Sequence, residues 1–205
     1  MIGEIDKIYK EQGFLVIGAD EAGRGPLCGP VVTAAVSLFS EIPGVNDSKK
    51  LSEKKRLELV PQIIHNSFWA VYSVLPAVID EMNILHASLY GMSLCVKRIM
   101  RKTEQNCMVM IDGNKKTGQF ENEIAVVKGD AKSMNIAAAS ILAKTYRDRI
   151  MDKWDKIYPE YHLSSHKGYP TAEHYEILRK IGPCEIYRKS FRLVKEEEPE
   201  QMSLF

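Results

Sequence analysis

The chain reads as an α/β protein with a mixed sheet, and three features lead to that reading. Apolar, β-branched runs come early and close together, at Phe14 to Ala19, Val31 to Val36 and Phe68 to Leu75. Stretches with helical spacing then alternate with further short apolar runs. Carboxylates with glycine close by stand where runs end, as in Asp20-Glu21-Ala22-Gly23 and Ile111-Asp112-Gly113.

The first two runs are joined by Gly23-Arg24-Gly25-Pro26-Leu27-Cys28-Gly29-Pro30, rich in turn formers, and together they read as a β-hairpin. Ser52 can cap a helix that carries Leu57, Val60 and Ile64 at helical spacing, with Pro61 as an irregularity. The third strand, Phe68 to Leu75, completes a meander. A helix from about Ile84 to Lys102 precedes the strand that ends at Asp112, and Ile124 to Val127 makes another strand. Lys128-Gly129-Asp130 then turns into a long helix, whose stripe of Ile136, Ala139, Ala143, Tyr146, Ile150, Trp154 and Ile157 is read as core packing. Pro170-Thr171 opens the last helix and Gly182-Pro183 closes it. No internal repeat is evident.

With 205 residues, 45% of them hydrophobic, the chain can bury a sizeable core in one domain. No apolar stretch is long enough for a bilayer, and Met1-Ile2-Gly3-Glu4-Ile5-Asp6 lacks the basic-then-apolar order of a signal peptide, so a cytoplasmic protein is expected. Cys28, Cys95, Cys107 and Cys184 are scattered and read as reduced and structural. The net charge of +1 conceals an asymmetry. Residues 1 to 143 balance at 16 basic and 16 acidic, residues 144 to 192 hold 11 against 7, and the last eleven hold one Lys and four Glu. A polyanion is expected to meet the C-terminal third, although Arg147-Asp148-Arg149 and Asp152-Lys153 also suit pairing within a helix.

Asp20 and Glu21 lie at the rim of a sheet, beside glycines that let the backbone lie against a ligand. Adjacent strand residues face opposite ways, so the two acids can share a site only if the backbone departs from regular strand geometry there. Asp112 and Asp130 add two further acids, each after an apolar run. A strand-end Asp also serves as a simple turn former, but carboxylates brought together from separate strands are what a two-metal hydrolytic site requires.

At these residues the sequence resembles the ribonuclease HII family. The resemblance rests on DEAGRGPLCGPVV (20 to 32), NDSKKLSEKKR (46 to 56), IDGN (111 to 114), KGDAKSMNIAAASILAKTYRD (128 to 148) and HKGYPTAEH (166 to 174), and it runs from about Gly13 to Phe191. It implies a ribonuclease H-like fold: a five-stranded mixed sheet flanked by helices, with a C-terminal helical extension over about 150 to 194 beside the active site. It further implies that Asp20, Glu21, Asp112 and Asp130 are the catalytic carboxylates and hold two Mg²⁺ or Mn²⁺ ions, roughly 3.5–4 Å apart in sites of this kind. Gly23, Arg24 and Gly25 together with Tyr169 would recognise the ribonucleotide, whose 2′-hydroxyl is the handle that DNA lacks. The implied substrates are RNA/DNA hybrids and DNA duplexes with an embedded ribonucleotide, cut on its 5′ side to leave a 3′-hydroxyl, in replication and repair.

Lys49, Lys144 and Lys167 fall within the resembling segments as phosphate-holding candidates, as do Lys50, Lys132 and Ser140. His65 and His86 sit among apolar neighbours and read as structural, whereas His162, His166 and His174 are placed nearer the substrate surface. Ribonuclease HIII, a relative, carries an extra N-terminal domain, for which a first strand near Gly13 leaves no room, and tends to lysine where this turn reads Gly-Arg-Gly. A binding protein without catalysis would have no need of all four acids. The acidic stretch from Lys195 reads as a flexible linker ending in Gln201-Met202-Ser203-Leu204-Phe205, and this pentapeptide is similar to the motifs that dock bacterial repair enzymes on the sliding clamp through Gln201, Leu204 and Phe205. A monomer without membrane contact is expected.

Overall fold

The computed structural model describes residues 2–46 and 51–193. Its sheet holds β1 (Leu15–Ala22), β2 (Val31–Leu38), β3 (Ser67–Val74), β4 (Cys107–Asp112) and β5 (Glu123–Val126). They lie in the order β3-β2-β1-β4-β5. The first three strands form an antiparallel meander, while β4 runs parallel to β1 and β5 parallel to β4, which gives the expected mixed sheet. Among the described residues no helix is long and apolar enough to cross a membrane.

Side-chain alternation divides the strands between two layers. Ala34 and Val36 face α5 (Met134–Asp155) and, beyond it, α2 (Glu53–His65). Ile17, Ala19, Ala35, Val109 and Ile111 pack instead with Met92, Val96 and Ile99 of α4 (Ile84–Met100). Three helices escaped the sequence reading, α1 (Glu4–Glu11), α3 (Pro76–Met82) and the four-residue α6 (Leu163–His166), each too short for a strong periodic signal.

Two helix faces also differ from expectation. In α2 the buried side chains are Leu59, Val60 and Ile63, while Leu57 is 42% exposed. Ser52 caps this helix as expected, accepting from Lys55 N at 3.3 Å. In α5 every residue from Asn135 to Ala143 is buried, so the helix has no single apolar stripe: the sheet takes one side and α2 the other. Ile157 lies past its end and is 63% exposed.

The start of α5 is held by contacts distant in sequence. Asp6 of α1 is buried and accepts from Ser133 Oγ at 2.6 Å, Met134 N at 2.6 Å and Asn135 Nδ2 at 2.8 Å, placing a carboxylate at the positive end of the helix. Asn135 Oδ1 in turn accepts from Leu38 N at 2.7 Å, tying helix to sheet. The last described residues form α6 (Leu163–His166), α7 (Ala172–Ile181) and a segment in which Ile186 and Tyr187 pack on Leu27, Cys28 and Met151. The C-terminal extension therefore lies against the loop between β1 and β2. All four cysteines are free, and burial pushes the Cys28 thiol up to about 12 and Cys95 up to about 11, so neither is a thiolate at neutral pH.

At Gly18 the backbone of α5 comes too close to the sheet to admit a side chain. A Cβ there would fall 2.3 Å from Ile136 N and 2.5 Å from Asn135 C, both backbone atoms that no rotamer change can move. Gly18→Ala is expected to destabilise the protein by roughly 3 kcal/mol, the upper part of the range for forced overpacking, measured as a lower urea midpoint with unchanged slope.

Candidate active site

Because β1 and β4 are neighbours and parallel, their carboxyl ends open on the same edge of the sheet, where α/β proteins place their ligands. Asp20 stands near the end of β1 on the face toward α5. It is only 5% exposed, its Oδ1 accepts from Glu21 N at 2.7 Å, and it is hydrogen-bonded by the side chain of Ser140. Burial holds this carboxyl well above the usual carboxylate range, and the charges of Glu21 and Asp112 push it further. Asp112 ends β4, and its Oδ1 accepts from Gly129 N at 2.7 Å. A side chain at 129 would meet that oxygen at 2.9 Å, so the glycine is required for the contact.

Asp20, Glu21 and Asp112 share one open cleft of about 510 Å³ with Ser140, and its lining also includes Gly23, Arg24, Gly25 and Tyr169. The backbone stays in register through Asp20, Glu21 and Ala22, paired with Ala34, Thr33 and Val32, so the expected departure from strand geometry does not occur at the acids. It begins at Gly23, with φ +96°. Glu21 reaches the cleft from the other side of the strand, its Oε1 lying 3.5 Å from Arg24. Asp130, buried in the 3₁₀ turn Gly129–Ala131, adjoins this group through Gly129 but is not part of the cleft wall.

The basic residues distribute unevenly. Lys144 and Arg56 line the cleft and are joined through buried Asp148, at 2.9 Å and 3.6 Å. Arg56 belongs to one of the resembling segments, yet its role at the cleft was not read from the sequence. Lys167 is ion-paired with Asp152, and Lys49 and Gln201, Leu204 and Phe205 lie outside the described residues. His65 and His86 are exposed and bond to carbonyls of their own chain neighbourhood. His166 and His174, expected near the substrate, are buried beneath Tyr169, their rings stacked at 4.0 Å. His166 Nδ1 accepts from Gly168 N, and His174 bonds Tyr169 O and the Tyr187 hydroxyl. Burial lowers both histidines, His174 to about 4, so at neutral pH they are uncharged supports. His162 is exposed and paired with Glu173.

Among the described residues no group of three or more His, Cys, Asp or Glu side chains is placed to hold a metal ion. The donor chemistry nonetheless fits a hard divalent cation. The oxygens are carboxylates, and Asp20 is buried beside two others whose repulsion a cation would relieve. Mg²⁺ characteristically takes one or two protein carboxylates and completes its shell from water and substrate phosphate, which suits an open cleft better than a cage.

A mixed sheet of this order, with acids at the ends of adjacent parallel strands facing a glycine turn and basic side chains, defines a nuclease of the ribonuclease H fold. Residues 17–194 match the Ribonuclease HII family, and a Ribonuclease HII of Francisella tularensis is 47% identical over 185 residues, 89% of this chain and 97% of that one. The chain belongs to the ribonuclease HII family and is a ribonuclease H, a hydrolytic endonuclease. Among solved structures it is similar to the RNase HII of the PCNA:RNase HII complex from Archaeoglobus fulgidus, with 26% identity, a TM-score of 0.70, and coverage of 90% of this chain and 98% of that one. Bst-RNase HIII, determined in complex with Mn²⁺, shares the fold at 21% identity and a TM-score of 0.67, covering 88% of this chain and 68% of that one.

The raised position of Asp20 has a consequence for stability. Its folded carboxyl binds a proton more readily than the unfolded one, so above that raised range the buried charge costs stability, and the cost disappears as pH falls. Without divalent metal, Asp20→Asn is therefore expected to melt at a higher temperature than the wild type at pH 8. The gap should narrow as the pH is lowered toward 5, measured by differential scanning calorimetry in the presence of a chelator.

Proposed function

We propose that this ribonuclease cuts the RNA strand of RNA/DNA hybrids and the 5′ side of single ribonucleotides in duplex DNA, leaving a 3′-hydroxyl, in cytoplasmic replication and repair. The observation that carries this reading is the cleft itself, where Asp20, Glu21 and Asp112 face the Gly23-Arg24-Gly25 turn and Tyr169. Carboxylates and a backbone turn with an aromatic ring divide the lining of one cleft between them. This division suits a substrate with a scissile phosphate next to a sugar that must be checked.

Asp20, Glu21, Asp112 and Asp130 are the residues that would hold Mg²⁺ or Mn²⁺. When bound, such ions supply charge neutralisation at the phosphate and a water of lowered pKa. The protein's own contribution is placement. Ser140 and the Glu21 N–H fix the carboxylate of Asp20, Gly129 fixes that of Asp112, and burial excludes water from behind them. Lys144 and Arg56 offer positive charge to the nucleic-acid backbone, and Lys49 and Lys167 are proposed to extend that contact. The ring and N–H groups of the same lining read the sugar: a 2′-hydroxyl both donates and accepts hydrogen bonds where deoxyribose has none.

Purified protein given a duplex with one ribonucleotide should cleave it only when Mg²⁺ or Mn²⁺ is added. Asp112→Asn nearly preserves volume but removes a charge, and kcat should drop by about 10³-fold or more with the fold intact by circular dichroism. Wild-type rates from Asp112→Asn would refute the assignment.

A second proposal concerns the terminal residues Gln201 to Phe205. Leu204 and Phe205 follow an acidic stretch with no neighbouring apolar sequence to join, the pattern of a tethered docking peptide. The Archaeoglobus fulgidus relative was determined in a complex with PCNA, and we assign residues 201–205 of this chain the same kind of role, docking on a sliding clamp. Deleting them should leave cleavage of a short duplex unchanged and abolish clamp binding in calorimetric titration.

A further inference from the structure

Among the described residues the two largest fully buried side chains are Arg147 and Arg188, each 0% exposed. A guanidinium out of water normally answers to a carboxylate, because its desolvation is otherwise too costly. Here the hydrogen bonds of both run to backbone carbonyls. Arg188 donates to Gly23 O at 2.6 Å, Arg24 O at 3.0 Å, Pro26 O at 2.8 Å and Gly29 O at 2.9 Å. Arg147 donates to Cys28 O at 3.3 Å, Pro30 O at 3.2 Å and Lys167 O at 3.0 Å. Leu27 O accepts from the backbone N–H of Arg188 at 3.0 Å. Nearly every carbonyl between Gly23 and Pro30 is thus drawn inward, toward the two charges.

The planar trans peptide turns this into a statement about the cleft. Within one peptide unit the C=O and N–H point in opposite directions. With Gly23 O and Arg24 O drawn inward, the N–H groups of Arg24 and Gly25 point outward, toward the cleft these residues line. Arg147 also lies 5.8 Å from the centroid of the Tyr169 ring and accounts for the carbonyl two residues before it. A Cβ on Gly25 would touch Tyr169 Cε1 at 3.7 Å, so turn and ring are adjacent surfaces of the cleft. The arginines also fix the turn's composition, since a Cβ on Gly23 would fall 2.0 Å from Arg147 Nε.

We propose that Arg147 and Arg188 are positioning residues for ribonucleotide selection: they aim the Arg24 and Gly25 N–H groups and the Tyr169 ring at the same ribose. This rests on the reading that the turn and Tyr169 recognise the ribonucleotide. Neither arginine touches the substrate. Their two buried charges also polarise the peptide dipoles, strengthening the outward N–H groups as donors to an oxygen of the ribose or its phosphate.

Arg188→Lys keeps the charge, but one ammonium cannot span four carbonyls. With folding checked by circular dichroism, kcat and KM are measured on a duplex with one ribonucleotide and on a long RNA/DNA hybrid. The expected result is that kcat/KM for the single ribonucleotide, relative to the hybrid, falls about tenfold, the loss of roughly one charge-assisted contact, mainly through KM. Arg147→Lys and Tyr169→Ala should shift the ratio in the same direction. A selective loss for Tyr169→Ala beside an equal loss on both substrates for the arginine variants overturns the proposal alone. Equal losses for Tyr169→Ala overturn the recognition reading as well. Should the lysine variants not fold, the metal-free wild type decides: the Arg147 and Arg188 Nε–H resonances must move together with the Arg24 and Gly25 amides on titration with the ribonucleotide duplex and not with its all-DNA counterpart; amide shifts with no response at the arginines overturn the proposal, and an identical response to both duplexes overturns the recognition reading as well.

Discussion

The contact between β1 and α5 is the constraint on which the rest of the structure depends. Two residues of strand advance about 6.6 Å and four residues of helix about 6 Å, so a helix lying along a strand meets it in nearly constant register. Along this seam Gly18 meets the backbone at Ile136, Asp20 meets Ser140, and Gly23 meets Arg147. Past the strand, Gly29 meets Met151. One helix face therefore serves in succession the core, the acids and the loop. This explains why α5 is buried so completely and why its start is tied by Asp6 and Asn135.

The electrostatics follow from the same placement. Acids collect on the sheet side of the cleft, where burial raises Asp20 and invites a cation. On the other side two buried guanidiniums stand behind a loop of peptide dipoles, and burial, joined by the charge of Arg147, holds Arg188 down to about 9, still protonated at neutral pH. The cleft is therefore acidic at Asp20, Glu21 and Asp112 and has buried positive charge behind the Gly23 to Pro30 loop. The uncharged His166 and His174 beneath Tyr169 add support without altering that balance.

Much of this was legible in the sequence. Strand-end acids at Asp20 and Asp112, the Gly-Arg-Gly turn and the strand order of the first half follow from local patterns that the fold does not override. What stayed hidden depended on contacts distant in sequence. Arg147 sits between Tyr146 and Asp148 in a stretch that suits intrahelical pairing, yet it reaches Pro30 and Lys167, while Asp148 pairs with Lys144 and Arg56. Two members of the basic excess of the C-terminal third are thus buried and unable to touch a polyanion directly. His166 and His174 were read nearer the surface than they lie, since a His among polar neighbours gives no local sign of burial. The face of α2 was misread for a similar reason: Leu57 and Leu59 are both compatible with the period, and only the position of α5 selects Leu59.

The hydrogen bond from Arg188 to Gly23 joins positions 165 residues apart in the chain. The loop after the first strand is closed by almost the last described segment. During synthesis, which proceeds from the N-terminus, the residues bearing Asp20, Asp112 and Asp130 are all present well before position 188 is reached. The nascent protein thus holds these carboxylates before Arg188 is available to hold the Gly23 to Pro30 loop in place. On the proposed roles, ribonucleotide selection is a property the chain acquires only once position 188 has been added.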